Sequence, residues 1–325
     1  MRAIIHHTFG EPEAVLSVDD RPMPEPGAGE VRIKTVLSPI HNHDLVTVRG
    51  EYGFVPELPA RAGTEAVGII DALGEGVSGV SVGQRVATGG TFGAWAEYFT
   101  AKAAGLIPVP DALPDESAAQ LVAMPFSALS LLHALSLERG QWMVQNAANG
   151  AVGRLIAQLA AARGIHVLGL VRRQDAVEQL REQGITNVLS TDDDAWRNRV
   201  DEVTGGAPIV AGVDSVGGAS ASDVLSLLAE KGALVVFGAM GSSALEISSG
   251  DLIFRQITVT GFWGSAVNRT MDAATKAELF RELLTRVTNG DVSLPVSGIY
   301  DFDDVRAAVD ASLTPGRVGK VLLAP

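Results

Sequence analysis

Two groups of residues have the types and spacing to do chemistry. The first is Gln145-Asn146-Ala147-Ala148-Asn149-Gly150-Ala151-Val152-Gly153, which follows an apolar run from Trp142 and opens an Ala-rich segment ending at Gly164. Small residues at 148, 150 and 153 let a chain turn sharply from strand to helix, admit a pyrophosphate to the backbone and seat the helix against the strand. The helix N-terminus then offers unpaired N–H groups and the positive end of its dipole to phosphates. The second group is His41, His43, Asp44 and Tyr52, within SPIHNHDLVTVRGEYGFVPELPARAG. Imidazole and phenol are proton-transfer groups: histidine changes charge nearest neutral pH, and a phenol with an ordinary pKa near 10 remains a donor. His41 and His43 are candidate acids or carbonyl donors, with Asp44 placed to orient one of them. The alternative is a hydrogen-bonded loop network, and for Tyr52 an ordinary aromatic in a lid.

The elements around the first group give it meaning, because glycine spacing alone also punctuates ordinary loops. Val167–Val171 follows at the distance of the second strand of a βαβ unit. Arg172 and Arg173 stand at its end, where an acidic residue would hold a ribose 2′-hydroxyl and arginine suits a 2′-phosphate. These two residues point to NADPH; the alternative is a pair of solvated charges. Asp175 reads as the N-cap of a helix ending near Gly184. Apolar strands at 142–145, 166–171, 188–190, 209–214, 233–237 and 257–261 alternate with helical stretches. That alternation predicts a doubly wound parallel α/β sheet. Its strand ends add Ser215, Val216, Phe237, Gly238 and Met240 as cofactor-binding candidates, with Phe262, Trp263 and Lys320.

The N-terminal third has a different texture. Residues 3–6, 31–36, 65–72, 84–87 and 94–100 read as short strands with glycine punctuation, the pattern of a small barrel-like β domain. Residues 38–63 read as one long irregular loop, a length that usually carries function. Residues 115–135 read as helical, broken into two at Pro125. Helices over 275–288 and 303–312 and a strand over 320–323 form a tail that returns to the first domain. The expected division is a catalytic domain over 1–112 with 270–325, and a dinucleotide domain over 113–269.

Composition excludes several functions. A 46% hydrophobic content with 19% charged residues builds cores, and a formal net charge of −13 repels nucleic acid. No apolar run is long enough to span a bilayer, and the first residues lack signal and transit patterns, so a cytoplasmic protein is expected. The chain has no cysteine, which removes disulfides, thiol nucleophiles and Cys-based zinc sites together. The apolar, β-branched edge at 257–260 predicts a homodimer by strand pairing.

A β domain, a long loop, a dinucleotide domain and a returning tail together resemble the medium-chain dehydrogenase/reductase superfamily over nearly the whole chain. The resemblance implies a Rossmann domain and a GroES-like β-barrel domain. Gly63-Thr64-Glu65 carries Thr where zinc members have a metal-binding His. A rebuilt site from His41, His43 and Asp44 or Glu65 is the alternative to the expectation of no metal. Among zinc-free members, VQNAANGAVG, GEYG and GFWGS are similar to the cofactor loop, the Gly-x-Tyr-Gly and the Gly-Phe-Trp turn of enoyl-thioester reductases. By that resemblance Tyr52 falls on the proton donor and Trp263 beside the nicotinamide. His41 departs from the family's Asn, and Asn42-His43 from its Pro-Ser. The implied activity is NADPH-dependent reduction of the C=C bond of an α,β-unsaturated carbonyl or enoyl thioester. The alternatives are an NADPH:quinone oxidoreductase, a zinc alcohol dehydrogenase-like enzyme and a non-catalytic NADPH-binding protein.

Overall fold

A computed structural model describes residues 1–325. Two units divide the chain: Met1–Ala123 with Leu294–Pro325, and Met124–Ser293. The boundaries fall later than the 112/113 and 269/270 expected. Glu65 holds the backbone N–H groups of Val122 and Ala123, which ties that segment to the first unit. The Ala273–Thr288 helix belongs to the second.

In the first unit, strand Glu30–Pro39 is the organiser. Val31, Ile33, Thr35 and Leu37 are buried on alternate positions, while Arg32 and Lys34 lie outside them, the period of a strand with one covered face. It pairs antiparallel with Glu65–Leu73, Tyr98–Lys102 and Lys320–Ala324. Further strands extend this sheet to seven, and Arg2–His6, Leu16–Asp20 and Ala60–Arg61 form a second, three-stranded sheet. The strand expected over 94–100 is shorter and displaced, at Tyr98–Lys102. The preceding residues bridge to the other sheet: Ile4 N–H donates to Trp95 O, and Trp95 N–H donates to Ala62 O. Trp95, wholly buried, packs with Ile4, Leu45, Phe302 and Val321 in one core.

The long loop expected over 38–63 contains a helix, Asn42–Arg49. Asp44, at its third position, accepts a hydrogen bond from His41 N–H at 2.9 Å, and Leu45 and Val48 bury its inner face. Gly50 ends it in a left-handed conformation, φ +80°, and a Cβ there would lie 2.9 Å from the Phe9 ring.

The second unit carries a six-stranded parallel sheet in the order Val188–Ser190, His166–Val171, Trp142–Gln145, Ile209–Asp214, Leu228–Val236, Thr258–Gly261. This is the doubly wound order, with its switch point between Trp142–Gln145 and Ile209–Asp214. Leu228–Val236 starts five residues earlier than expected. The break at 115–135 is not at Pro125: the helices are Asp115–Ala118 and Ala123–Leu135, with Pro125 in the first turn of the second, where a missing N–H costs nothing. Asp175 is not an N-cap; Arg173 holds that position, and Asp175 accepts from Ala176 N–H inside the first turn of Gln174–Glu182. No helix is long and apolar enough to cross a membrane.

Candidate active site

The turn after Trp142–Gln145 could hold a phosphate. Helix Ala151–Arg163 starts at Gly150 with no side chain capping its first turn, so its first N–H groups remain for a ligand. A Cβ on Gly153 would lie 2.7 Å from Ala147 O and 2.8 Å from Ala148 Cα, so only glycine lets the helix sit this close to the turn. Gln145 and Asn146, expected to meet the cofactor, are buried and spend their amides inside the unit. Gln145 Nε2 donates to Gly153 O at 2.8 Å, which ties strand to helix. Asn146 Nδ2 donates to Asp214 Oδ1 at 2.5 Å, and its Oδ1 accepts from Ser215 N–H at 2.7 Å.

Sequence reasoning missed Asp214. Its wholly buried carboxylate also accepts from Val216 and Gly217 N–H at 3.1 Å, so Asn146 and Asp214 clamp the two strand ends at the switch point. The signal was an acidic residue closing an apolar strand. Met240 and Gly241 N–H donate to Ser215 O and Val216 O, which joins the loops after Ile209–Asp214 and Leu228–Val236 into one wall. Asn149 lies in the cradle turn, and Arg172 and Arg173 are exposed, with Arg173 Nε 3.0 Å from Asp175. Phe262 stacks on Phe237, and Trp263 is 44% exposed with Arg269 over its ring. This cradle suits a dinucleotide: uncapped helix N–H groups for the pyrophosphate and a guanidinium pair at the end of the second strand.

In the first unit the polar residues form one network. His41 is wholly buried, with Nε2 2.6 Å from Glu65 Oε2. Glu65 Oε1 accepts from Val122 and Ala123 N–H at 2.5 and 2.9 Å. Burial pushes the Glu65 carboxyl up to about 7, against the pull of those N–H groups. Burial holds the His41 imidazole well below its ordinary value, so the ring is neutral. Lys320, a cofactor-binding candidate by sequence, is buried here instead: Nζ donates to Ile40 O at 3.4 Å, and burial lowers it to about 8. Asp44, also buried, accepts from Thr64 Oγ1 at 2.7 Å, and His43 Nε2 lies 2.7 Å from the same hydroxyl. The His43 ring stacks on His41 at 5.0 Å and approaches Tyr52 at 5.8 Å.

This donor set does not fit zinc. There is no cysteine, Thr64 stands at the histidine position, and the Nε2 atoms of the two imidazoles are turned to Glu65 and Thr64 rather than to a common point. His41 has no face for a substrate, which leaves His43 and Tyr52 as the accessible acids.

Residues 27–111 match the alcohol dehydrogenase GroES-like domain family, and residues 151–281 the zinc-binding dehydrogenase family. The mitochondrial enoyl-acyl-carrier-protein reductase of Arabidopsis thaliana is 30% identical over 326 residues, covering 98% of this chain and 86% of that protein. A mycobacterial quinone oxidoreductase structure is 31% identical, with a TM-score of 0.87 over 100% of both chains. Escherichia coli quinone oxidoreductase complexed with NADPH is 25% identical, with a TM-score of 0.88 over 100% of both. Likeness of this degree extends over both units, and the chain belongs to the medium-chain dehydrogenase/reductase superfamily.

Proposed function

We propose that this protein is an NADPH-dependent, zinc-independent reductase of the C=C bond in α,β-unsaturated carbonyls or enoyl thioesters. The observation that carries the reading is the hydrogen-bonded His43–Thr64–Asp44 chain beside Tyr52. Reducing a C=C bond needs a proton delivered to carbon, and this network is built to hold one. NADPH, when bound, supplies the hydride. The chain's own residues hold the pyrophosphate at Ala151, Val152 and Gly153, and the 2′-phosphate at Arg172 and Arg173. In the first unit Phe54 and Phe92, both exposed, pack at 4.3 Å, and Val55 and Leu58 in the same loop as Phe54 are exposed too, apolar side chains suited to an acyl group.

A quinone reductase is the second reading, favoured by the names of the structural neighbours. It needs the cofactor cradle but no proton donor to carbon. Oxidation of NADPH and NADH is the test, with hexenal, an enoyl thioester and a naphthoquinone as acceptors and EDTA present throughout. The unsaturated carbonyls are expected to be turned over with NADPH preferred. Changing both Arg172 and Arg173 to Ala narrows that preference by about tenfold, the worth of one charge-assisted contact partly screened by water. Turnover of the quinone alone supports the second reading. Binding of NADPH without turnover of any acceptor supports a non-catalytic role.

We also propose a homodimer. Strand Thr258–Gly261 is paired on one side only, and the adjacent helix Ser249–Phe254 exposes Ile253 and Phe254, the latter at 80%. A second copy added along this edge satisfies its free backbone groups and covers both side chains. Light scattering is expected to give twice the chain mass, and a monomer mass overturns the proposal.

A further inference from the structure

We propose that His43 is the general acid that protonates the substrate carbon, and that Thr64, tethered by Asp44, is the positioning residue that selects which ring nitrogen delivers the proton. The proposal rests on the C=C reductase reading above and assigns its proton donor. Thr64 has one hydroxyl hydrogen and two neighbours at 2.7 Å, Asp44 Oδ1 and His43 Nε2. A carboxylate only accepts, so that hydrogen goes to Asp44, and the Thr64 oxygen accepts from His43 Nε2–H. Neutral His43 is thereby fixed as the Nε2–H tautomer. A second proton enters at Nδ1, which has no hydrogen bond within the chain. Asp44 is itself held, its other oxygen accepting from His41 N–H. The His43 side chain is 22% exposed, whereas that of His41 is sealed.

With NADPH as the hydride source, the step balances without a further reactant. Hydride adds at Cβ and leaves an electron pair on the enolate. The Nδ1–H bond of imidazolium His43 breaks as the Cα–H bond forms, the neutral ring keeps its Nε2–H on Thr64, and Nδ1 regains a proton from water. Tyr52, beside the His43 ring, is assigned the carbonyl oxygen rather than the carbon. The groups facing the His43 ring are Asp44 at 3.5 Å and His41 from its own segment, Tyr52 from the following loop, and Glu65 behind Thr64. Lys320 on the last strand faces Asp44 and Glu65.

The test compares parent, His43→Asn, Thr64→Val and Tyr52→Phe in hexenal and naphthoquinone reduction between about pH 5 and 9, the span over which histidine, but not tyrosine, changes charge. Parent hexenal turnover is expected to fall as pH rises, with loss of one proton. His43→Asn lowers it about a hundredfold and removes that limb, with quinone reduction kept within about threefold. Thr64→Val moves the limb and lowers turnover less. Tyr52→Phe lowers turnover and keeps the limb. Nitrogen-15 spectra of the histidine rings read the tautomer apart from activity: Nε2–H in the parent at high pH, a tautomer mixture in Thr64→Val. Unchanged hexenal turnover in His43→Asn overturns the assignment, as does loss of the limb in Tyr52→Phe, which makes tyrosine the donor. A parent that reduces the quinone but not hexenal overturns the reductase reading and this assignment with it.

Discussion

Replacing Glu65 with alanine is expected to lower the free energy of unfolding of the first unit by about 3–5 kcal/mol, the range for removing one partner from a buried charged network. Val122 N–H, Ala123 N–H and the His41 ring lose their hydrogen-bond partner together, and each buried polar group left unpaired costs about 1–3 kcal/mol. The segment that Glu65 holds closes the Met1–Ala123 stretch of the first unit, so the loss reaches beyond the site. Glu65→Gln separates hydrogen bonding from charge. Its oxygen still accepts from the two backbone groups, and its NH2 donates to His41 Nε2, the arrangement of a protonated Glu65. Because burial raises this carboxyl from an ordinary 4.5 to about 7, the folded state binds its proton more tightly than the unfolded chain does. The parent is therefore favoured below about pH 4.5 and loses stability as pH rises through 7, whereas the glutamine variant carries no such term. Urea unfolding at pH 5 and pH 8 is expected to show the variant gaining on the parent by about 2–3 kcal/mol. Lys320, lowered to about 8, begins to titrate at the upper end of this window and faces Glu65, whereas groups remote from position 65 cancel in the difference. Parallel pH dependences would mean that Glu65 is ionised throughout.

The first of the two chemical groups was far more legible in the sequence than the second. Four of the six dinucleotide strands, Trp142–Gln145, His166–Val171, Val188–Ser190 and Ile209–Asp214, have the bounds that their apolar runs predict, because strands buried on both faces leave a continuous signal. Helix Asn42–Arg49 left none. Its cap is a histidine rather than a serine or threonine, and its inner face mixes Leu45 and Val48 with buried Asp44 and Thr47. A helix that buries polar groups breaks the period that sequence reading relies on. The contacts of Glu65 and Lys320 were out of reach for a different reason. Their partners lie 24, 57 and 58 residues away for Glu65 and 280 for Lys320, and only strand register brings them together. Gln145 and Asn146 show the converse: the motif singles out the loop but not the hydrogen bonds that its amides make inside the unit, to Gly153 O and Asp214.

Gly153→Val is expected to weaken NADPH binding at least a hundredfold, with the second unit still folded. A Cβ at this position meets backbone, Ala147 O and both Ala148 Cα and O, all within 2.8 Å, and backbone cannot rotate away as a side chain can. The helix must therefore retreat from the turn, and its first N–H groups move with it. A hundredfold loss is about 2.7 kcal/mol, comparable to the 1–3 kcal/mol by which overpacking typically destabilises a close-packed site. Gly150→Ala is the graded control. Its Cβ meets only Ala147 O, at 3.1 Å, so a shift of a few tenths of an ångström relieves it, and binding falls about tenfold or less. Titration of NADPH fluorescence reads the affinities, and thermal unfolding of each variant shows whether the unit survives. If Gly153→Val binds NADPH as the parent does, the first turn of Ala151–Arg163 is not where the phosphates sit, and the cradle would have to be sought along the wall of Ser215, Val216 and Met240.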